Sequence, residues 1–299
     1  MNAPSVPLAA SSGASASALR ERLAHQGYFA DEALASVAWL SEHLERPILL
    51  EGEAGVGKTA LAAALARALD RPLIRLQCFE GLDLADAAYE WNVAKQLLSV
   101  RLRPDLQEAN LYTRDYLLAK PLLSAITQPE GAVLLIDEVD RADEAFEAFL
   151  LEVLSEFQMS IPELGTVKAT VIPRVILTSN GTRGLSDALR RRCLFHVLDY
   201  PDAFRERSIL QSAVPNADIR LVEAVVQIVQ GLRKEDLQKR PGLAESLDWL
   251  RALHHCGHRE LPDDFEVVQS TLGCLLKTRE DRFLMDAGSF RRLQERYGH

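Results

Sequence analysis

Short apolar runs recur along the first two thirds of the chain, and stretches with helical periodicity separate them. The runs lie at residues 47–51, 72–78, 132–137, 174–179 and 194–198. Their hydrophobicity is continuous rather than alternating, which is typical of strands buried on both faces of a parallel sheet. The pattern therefore predicts an α/β core with helices on both sides of that sheet.

The two ends of the chain have different patterns from the core. The first 18 residues are rich in Ala and Ser and contain no Lys or Arg, which predicts a disordered tail. From residue 18 to about 44, apolar positions such as Leu34, Val37 and Ala38 recur at helical spacing. After Pro201 the chain shows amphipathic helical patterns without a further strand signal. We therefore predict a tail at 1–18, an α/β domain at 19–200 and a helical domain at 201–299.

A glycine-rich loop follows the first apolar run and precedes a helical pattern. Residues 52–59 read GEAGVGKT and match the phosphate-loop pattern G-x-x-x-x-G-K-[ST]. Glycines let backbone N–H groups turn toward a phosphate, and the N-terminus of the next helix adds donors. In this pattern Lys58 bridges the β- and γ-phosphates, and the Thr59 hydroxyl is a Mg²⁺ ligand. The predicted nucleotide-binding residues are Gly52, Glu53, Ala54, Gly55, Val56, Gly57, Lys58, Thr59 and Ala60.

Two carboxylates and an amide follow later apolar runs. Asp137 ends the third run and is predicted to hold Mg²⁺, directly or through water. Because side chains alternate along a strand, we expect Glu138 to point elsewhere, toward an attacking water whose proton it takes. Asn180 follows the fourth run, and its amide can bond both the γ-phosphate and that water, although Asn is also common in turns. These residues favour hydrolysis over transfer to a small molecule.

Three consecutive arginines, Arg190, Arg191 and Arg192, precede the fifth run on a short predicted helix. They cannot all face one way on a helix, so we expect one or two to serve a site. An arginine supplied in trans would stabilise charge on the transferring γ-phosphoryl group. A solvated basic helix end that complements the helix dipole is the alternative interpretation.

The amino-acid composition disfavours some classes of protein function. The chain has 299 residues, with 34 Lys and Arg against 43 Asp and Glu, and its net charge is −9. That balance disfavours a protein whose main task is to coat nucleic acid or anionic lipid. The 4 Cys residues are far apart, as in reduced cytosolic proteins, and no apolar run reaches the ~20 residues of a membrane span. We therefore expect a cytoplasmic protein without membrane insertion.

A cluster of metal-ligating residue types lies at 254–258, where His254, His255, Cys256 and His258 surround Gly257. Gly257 is expected to end a helix inside the cluster. No second ligand pair with zinc spacing occurs in the sequence. We therefore favour a surface helix end over a metal site.

The ordered motifs GEAGVGKT, LLIDEVDRAD, LTSN and ALRRRC resemble those of the AAA+ ATPases. Longer stretches, including YEWNVAKQLL and RPGLAESLDWLRAL, are similar to the MoxR family and, within it, to the CoxD-like branch. The resemblance covers roughly residues 25–255. It implies a P-loop NTPase fold with a five-stranded parallel sheet and a small helical lid. It also implies nucleotide in the crease between them and a homo-oligomeric ring, typically a hexamer.

The resemblance further implies ATP and Mg²⁺ as cofactors and a role for each site residue. Lys58 and Thr59 match Walker A, Asp137 and Glu138 match Walker B, Asn180 matches sensor 1, and Arg192, with Arg191 second, matches the arginine finger. One departure concerns the sensor-2 arginine that many relatives carry at the start of a lid helix. Here Ala244 or Glu245 stands in its position, and Arg240 lies just upstream.

The resemblance also identifies two insertions. Residues 80 to about 92 match a helix-2 insert, and residues 158–172, with a turn near 163–165, match a hairpin before sensor 1. In ring ATPases such elements often face the central channel and engage a substrate or partner. Tyr89 and Trp91 are candidate contacts, with packing of the insert as the alternative.

Three hypotheses for function follow. The resemblance implies an ATPase that remodels a client metalloenzyme, such as carbon monoxide dehydrogenase or a related molybdenum hydroxylase, together with a von Willebrand factor A domain protein. A nucleic-acid loader or restriction-type motor is the second hypothesis, and the acidic net charge disfavours it. A nucleotide-binding scaffold without turnover is the third, and the presence of Glu138 and Asn180 disfavours that one.

Overall fold

Residues 15–103 and 108–297 are described by the structure, which is a computed structural model of the chain. They divide into two compact units. The first unit comprises 15–26, 30–51 and 59–197, and the second comprises 27–29, 52–58 and 198–297. Residues 1–14 of the predicted tail lie outside the described residues. The domain boundaries at 18/19 and 200/201 stay a prediction.

Fourteen helices and nine strands occur in the described ranges. The helices are α1 (Ala16–His25), α2 (Glu32–Leu44), α3 (Lys58–Leu69), α4 (Leu84–Ala87), α5 (Val93–Leu102), α6 (Pro121–Ile126), α7 (Glu144–Glu156), α8 (Asp187–Arg192), α9 (Ala203–Ala213), α10 (Ile219–Leu232), α11 (Leu243–His255), α12 (Phe265–Thr271), α13 (Arg279–Leu284) and α14 (Ala287–Tyr297). The strands are β1 (Ile48–Glu51), β2 (Leu73–Gln77), β3 (Tyr89–Trp91), β4 (Leu117–Ala119), β5 (Val133–Asp137), β6 (Gln158–Ile161), β7 (Gly165–Lys168), β8 (Arg174–Ser179) and β9 (Leu194–Val197).

The first unit is built on a five-stranded sheet with the order β2-β5-β8-β1-β9. The prediction of a parallel sheet is confirmed, because every neighbouring pair of these strands is parallel and each apolar run supplies one strand. β5 and most of β8 are buried, as their continuous apolar sequences predict. β2 and β9 lie at the edges and are partly exposed, so the expectation of burial on both faces is wrong for these two strands.

The carboxyl ends of the five strands meet at one edge of this sheet. Gln77 on β2 is in register with Asp137 on β5, and Glu51 on β1 is in register with Ser179 on β8. Ligands of open parallel sheets bind at this edge. The predicted acidic residues therefore lie where the fold offers a binding site.

The helical stretch predicted from 18 to 44 consists of two helices. α1 begins at Ala16, inside the predicted tail, and the Ser15 hydroxyl accepts a bond from Ala18 N–H at 3.2 Å. Gly27, with φ of 77°, lies in the segment between the helices, and the Asp31 side chain caps α2. Periodicity did not reveal this interruption, because a left-handed glycine and a capping carboxylate act on backbone geometry rather than on hydrophobic spacing.

The C-terminal part of the second unit, from residue 198 onward, is helical. Its core surrounds Trp249, which is fully buried and donates Nε1–H to Thr271 Oγ1 at 2.9 Å. Arg233, directly after α10, donates two hydrogen bonds to Glu206 of α9, at 2.7 and 2.8 Å. Both side chains are buried, and an unpaired buried charge is costly, so this pair fixes the two helices together. Every helix in the described ranges is too short or too polar to serve as a membrane span.

The helix end predicted at Gly257 is confirmed. Gly257 has φ of 82°, and its N–H donates to His254 O at 3.0 Å. His258 N–H donates to Leu253 O at 3.1 Å, which completes a Schellman motif. In the described part of the chain, no group of three or more His, Cys, Asp or Glu side chains is arranged to hold a metal ion.

Two antiparallel ribbons accompany the main sheet. β6 and β7 form the hairpin predicted at 158–172, with Glu163 in its turn at φ of 66°. β3, which lies within the insert predicted at 80–92, pairs with β4 at residues 117–119. Tyr89 and Trp91 are partly buried against the core, which favours the packing interpretation for both.

Candidate nucleotide site

The loop between β1 and α3 has a backbone path that depends on its glycines. A Cβ on Gly52 would lie 2.2 Å from the Leu198 carbonyl oxygen, so a larger residue would force the backbone to shift. Gly55 has φ of 81°, a conformation that L side chains rarely adopt. Lys58 Nζ donates to the carbonyl oxygens of Gly52 and Glu53 at 2.6 and 2.8 Å, so its ammonium group lies over the loop. A phosphate-binding loop requires these features.

This loop belongs to the second unit, and two side chains from the C-terminal part of the same unit contact it at Glu53. Tyr200 donates its hydroxyl to Glu53 Oε2 at 3.1 Å. Burial, followed by the charge of Glu53, raises the pKa of Tyr200 to about 12, so the hydroxyl remains a donor at neutral pH. Arg240 Nη1 lies 3.5 Å from Glu53 Oε1, and exposed pairs of this kind contribute little to stability. Arg240, the residue upstream of the missing sensor-2 arginine, therefore pairs with the loop's own carboxylate.

The start of α11 contacts the same loop through its backbone. Leu243 N–H donates to the Gly55 carbonyl oxygen at 2.9 Å. A Cβ on Gly242 would lie 2.8 Å from Gly55 Cα, so the two glycines are in close contact. The helix that carries the sensor-2 arginine in many relatives thus reaches the phosphate loop here without an arginine.

Substitution of Gly242 tests this contact. We expect Gly242→Ala to weaken ATP binding, because the added methyl group pushes the loop out of its binding conformation. Overpacking of this kind costs about 1–3 kcal/mol, which corresponds to roughly 5- to 150-fold in affinity if the whole cost falls on the ATP-binding conformation. Gly273→Ala is the control, since a Cβ there meets nothing within 4 Å. Titration with a fluorescent ATP analogue measures both variants, and equal affinities would contradict the prediction.

Asp137 is buried at the end of β5 and accepts hydrogen bonds from three side chains. Thr178 Oγ1 donates to Oδ1 at 2.5 Å, and Arg75 Nη2 donates to Oδ2 at 2.6 Å. Thr59 Oγ1 lies 3.2 Å from Oδ1. The two predicted Mg²⁺ ligands, Thr59 and Asp137, are therefore adjacent. Hydroxyl and carboxylate oxygens are the donors that Mg²⁺ prefers.

Glu138 follows β5 and is oriented by a left-handed backbone conformation, with φ of 56° and ψ of 50°. The sequence analysis inferred the orientation of Glu138 from the alternation of side chains along a strand. It did not predict this backbone conformation, because Glu138 lies beyond the last residue of β5. Such a conformation costs about 1–3 kcal/mol and persists where the surroundings enforce it, often at functional sites. Here the Glu138 N–H donates to Thr178 Oγ1 at 2.9 Å.

Three side chains hold the Glu138 carboxylate. It accepts hydrogen bonds from Gln77 Nε2 at 3.1 Å and from Asn180 Nδ2 at 3.4 Å. Arg141 Nη1 lies 3.3 Å from Oε2. The Glu138 side chain nevertheless remains 32% exposed, so water can reach it. The structure thus brings the predicted base and the predicted sensor amide into contact.

Asp140 fixes the loop that carries Asn180. Its carboxylate is buried and accepts bonds from the backbone N–H groups of Asn180 and Thr182, at 3.2 and 2.9 Å. The Thr182 hydroxyl donates to it at 2.7 Å. Burial by itself raises the pKa of Asp140, but these hydrogen bonds outweigh burial, and the pKa lies below its usual value. Asp140 is therefore an ionised acceptor that positions Asn180.

The lowered pKa of Asp140 predicts a pH-dependent contribution to stability. Because the folded pKa lies below the unfolded value of about 3.9, the contribution is present above that pH and is lost as pH falls further. We expect Asp140→Asn to be less stable than wild type at pH 7, with the difference shrinking below about pH 4. Urea unfolding across this range measures it, with the exposed Asp236→Asn as control. A difference independent of pH would contradict the prediction.

The structure distinguishes among the three arginines of α8. Arg190 Nη2 lies 3.1 Å from Glu51 Oε2, and its guanidinium lies 4.9 Å from the centre of the Phe195 ring. Arg191 and Arg192 are exposed, and within the described residues their side chains form no ion pair or hydrogen bond. Arg190 is therefore paired within the chain, whereas the side chains of Arg191 and Arg192 extend into solvent. The preference for Arg192 stays a prediction.

Sequence analysis missed four residues of this site: Gln77, Thr178, Asp140 and Arg75. Thr178 links the two predicted acids, because its hydroxyl accepts from Glu138 N–H and donates to Asp137. For Gln77 and Thr178 the available signal was a polar residue near the end of an apolar run, whereas Arg75 and Asp140 had no such signal. A polar residue near the end of a strand does not show which strand lies beside it. The sequence therefore could not predict the contacts among these side chains.

Comparison with known proteins finds a family model that matches the segment carrying this site. The family model described as AAA domain (dynein-related subfamily) matches residues 47–193. The matched segment begins one residue before β1 and ends one residue before β9, and it contains every predicted site residue from Gly52 to Arg192.

Two curated relatives are similar to about two thirds of this chain. Gas vesicle ATPase GvpN2 of Halobacterium salinarum is 31% identical over 230 residues, which cover 70% of this chain and 64% of the relative. Gas vesicle ATPase GvpN of Haloferax mediterranei is 31% identical over 207 residues, which cover 66% and 58%. The chain thus spans less than two thirds of the length of either relative.

Among solved structures, the RuvB Holliday junction branch migration motor of Thermotoga maritima is similar to this chain. The TM-score is 0.45 and the sequence identity 17%, over 85% of this chain and 68% of that one.

AAA domains use ATP with Mg²⁺, and the residues of the matched segment fit both groups. The Thr59 hydroxyl and the Asp137 carboxylate lie 3.2 Å apart, which is compatible with neighbouring positions around one octahedral cation. Lys58 supplies an ammonium group above a loop whose glycines keep its backbone accessible. The donor set is entirely oxygen, which suits Mg²⁺ better than a softer metal.

Proposed function

We propose that this chain is a Mg²⁺-dependent ATPase of the MoxR type that works in a ring of identical subunits and remodels a client protein. The observation that carries the proposal is the contact network in which Thr178 joins Asp137 to Glu138 and Asn180 contacts Glu138. The AAA-domain match and the ATPase names of the relatives support hydrolysis. Ring assembly is typical of AAA+ ATPases and gives Arg191 and Arg192 a target in the neighbouring subunit.

In this proposal each residue has one task. Lys58 and the loop N–H groups bind the phosphates, while Thr59 and Asp137 hold Mg²⁺, which neutralises charge on the phosphate oxygens when it is bound. Glu138 takes the proton of the attacking water as the water oxygen bonds to the γ-phosphorus. The bond between that phosphorus and the bridging oxygen breaks, and the products are ADP and phosphate.

Two further groups act on the same reaction. Asn180, which Asp140 holds by its backbone, orients the water that Glu138 deprotonates. Arg192 of a neighbouring subunit, with Arg191 as second candidate, stabilises negative charge on the transferring phosphoryl group. An ATPase built in this way needs two subunits for turnover.

The client is inferred from the resemblance to the CoxD-like branch of MoxR proteins. That resemblance supports a metalloenzyme client of the carbon monoxide dehydrogenase or molybdenum hydroxylase class, with a von Willebrand factor A domain protein as partner. A role on nucleic acid is the alternative, and the net charge of −9 weighs against it.

Affinity isolation from the native cell tests the proposed client. Glu138→Gln binds ATP without turnover and should hold the client, whereas Lys58→Ala, which does not bind ATP, is the matched control. We expect the first variant to retain a von Willebrand factor A protein and a metalloenzyme that the second does not retain. Co-purifying DNA, together with ATPase stimulation by DNA that rising salt abolishes, would favour the alternative.

A further inference from the structure

Arg46 contacts the helix that carries the predicted arginine finger. Its Nε donates to the Arg192 carbonyl oxygen at 3.1 Å, and its Nη2 lies 3.3 Å from the Cys193 carbonyl oxygen. The same Nη2 also donates to the Arg191 carbonyl oxygen. One guanidinium thus binds three consecutive carbonyl groups at the end of α8. These are groups that a helix C-terminus leaves without internal partners.

The buried residue Ser41 forms hydrogen bonds with both the backbone N–H and the carbonyl group of Arg46. Ser41, near the end of α2, donates its hydroxyl to the Arg46 carbonyl oxygen at 2.6 Å. The Arg46 N–H donates to the Ser41 carbonyl oxygen at 3.2 Å. The side chain of Arg46 therefore extends from a fixed backbone.

Strand pairing brings Arg46 to the end of α8. Ile48 on β1 is in register with Leu194 on β9, and Leu194 N–H donates to the Pro47 carbonyl oxygen at 2.8 Å. The residues that lead into these two strands therefore lie side by side. Arg46 precedes β1 by two residues, just as Arg192 precedes β9 by two residues.

We propose that Arg46 is a positioning residue for the arginine finger that α8 offers to the neighbouring subunit. This inference rests on the proposed function. A cation at the C-terminus of α8 complements the helix dipole and fixes where the exposed Arg191 and Arg192 side chains begin. The pair of Arg190 with Glu51 on the same helix is half-exposed and contributes little to fixing it.

Arg46→Ala should therefore reduce kcat and leave ATP affinity unchanged. A misplacement of about 1 Å in a catalytic group can cost about 10²-fold, so we expect a loss of roughly that size. Arg46→Lys should lose less, since an ammonium group can bind some of the carbonyls but cannot bridge all three. Wild-type turnover in Arg46→Ala would overturn the proposal.

Mixing of subunits separates positioning from a structural role. Lys58→Ala subunits cannot bind ATP but carry an intact α8, so they should restore turnover when they are mixed with Arg46→Ala subunits. Mixing Arg46→Ala with Arg192→Ala should restore nothing, because neither subunit offers a positioned finger. If Arg46→Ala disturbed its own nucleotide site, the Lys58→Ala partner could not rescue it, and the proposal would be overturned.

The mixture of Arg192→Ala with Lys58→Ala distinguishes this inference from the proposed function. Rescue in that mixture without rescue of Arg46→Ala would overturn only the role of Arg46. Failure of both mixtures would overturn the finger in trans, and the role of Arg46 with it. Should Arg46→Ala unfold at the assay temperature, Arg46→Lys replaces it in the same mixtures and must show the same rescue.

Discussion

The substitution Glu138→Gln is expected to lower ATP turnover by about 10²–10⁴-fold, the usual contribution of a general base. The amide has the shape of the carboxylate but cannot take the proton of water. ATP should remain bound, because Lys58, Thr59 and Asp137 are unchanged. Phosphate release under saturating ATP measures turnover, and a fluorescent ATP analogue measures affinity.

A control variant distinguishes the loss of the general base from the loss of a negative charge. Glu152→Gln removes the same charge from an exposed position on α7, and it should leave both turnover and affinity unchanged. If Glu138→Gln turned over ATP at the wild-type rate, Glu138 would not be the base. The contacts from Gln77 and Asn180 would then have only a structural role.

Arg192→Ala should lower turnover by about 10³–10⁵-fold, the range measured for arginine fingers. Its side chain is exposed and forms no hydrogen bond or ion pair within the described residues that could account for such a loss. Nucleotide affinity of the variant should be preserved, because the affected site belongs to the neighbour and keeps its own phosphate loop. The measurements are the same phosphate-release and binding assays.

Arg190→Ala is the control on the same helix. Arg190 pairs with Glu51 in its own subunit, and a half-exposed pair of this kind contributes about 1 kcal/mol or less. We expect its turnover to stay within a few-fold of wild type. If Arg191→Ala lost turnover and Arg192→Ala did not, the finger would be Arg191. If neither lost turnover, the role of α8 in catalysis would be wrong.

Local motifs were readable from the sequence because they are contiguous. The phosphate loop uses neighbouring residues from Gly52 to Thr59, and Asp137 and Glu138 follow one apolar run. The parallel arrangement was also predictable, since β5 and β8 are buried without alternation. These features depend on chemistry within a few residues.

Contacts between distant segments were not readable, because they depend on strand order and backbone conformation. Gln77 reaches Glu138 only because β2 lies beside β5, and no pattern within either run specifies that neighbour. The left-handed backbone of Glu138 likewise has no signature in a sequence where Glu is common. Arg190 differs from Arg192 in that it pairs with Glu51, and Glu51 lies 139 residues earlier in the sequence.

The central claim is that turnover needs the acid of one subunit and the guanidinium of the next. Phosphate release per subunit, measured over a dilution series with the assembly mass determined under the same ATP and Mg²⁺ conditions, tests it most directly. The account predicts that the rate per subunit falls in proportion to the assembled fraction and approaches zero for the monomer. A monomer that hydrolyses ATP at the full rate of the assembly would contradict it.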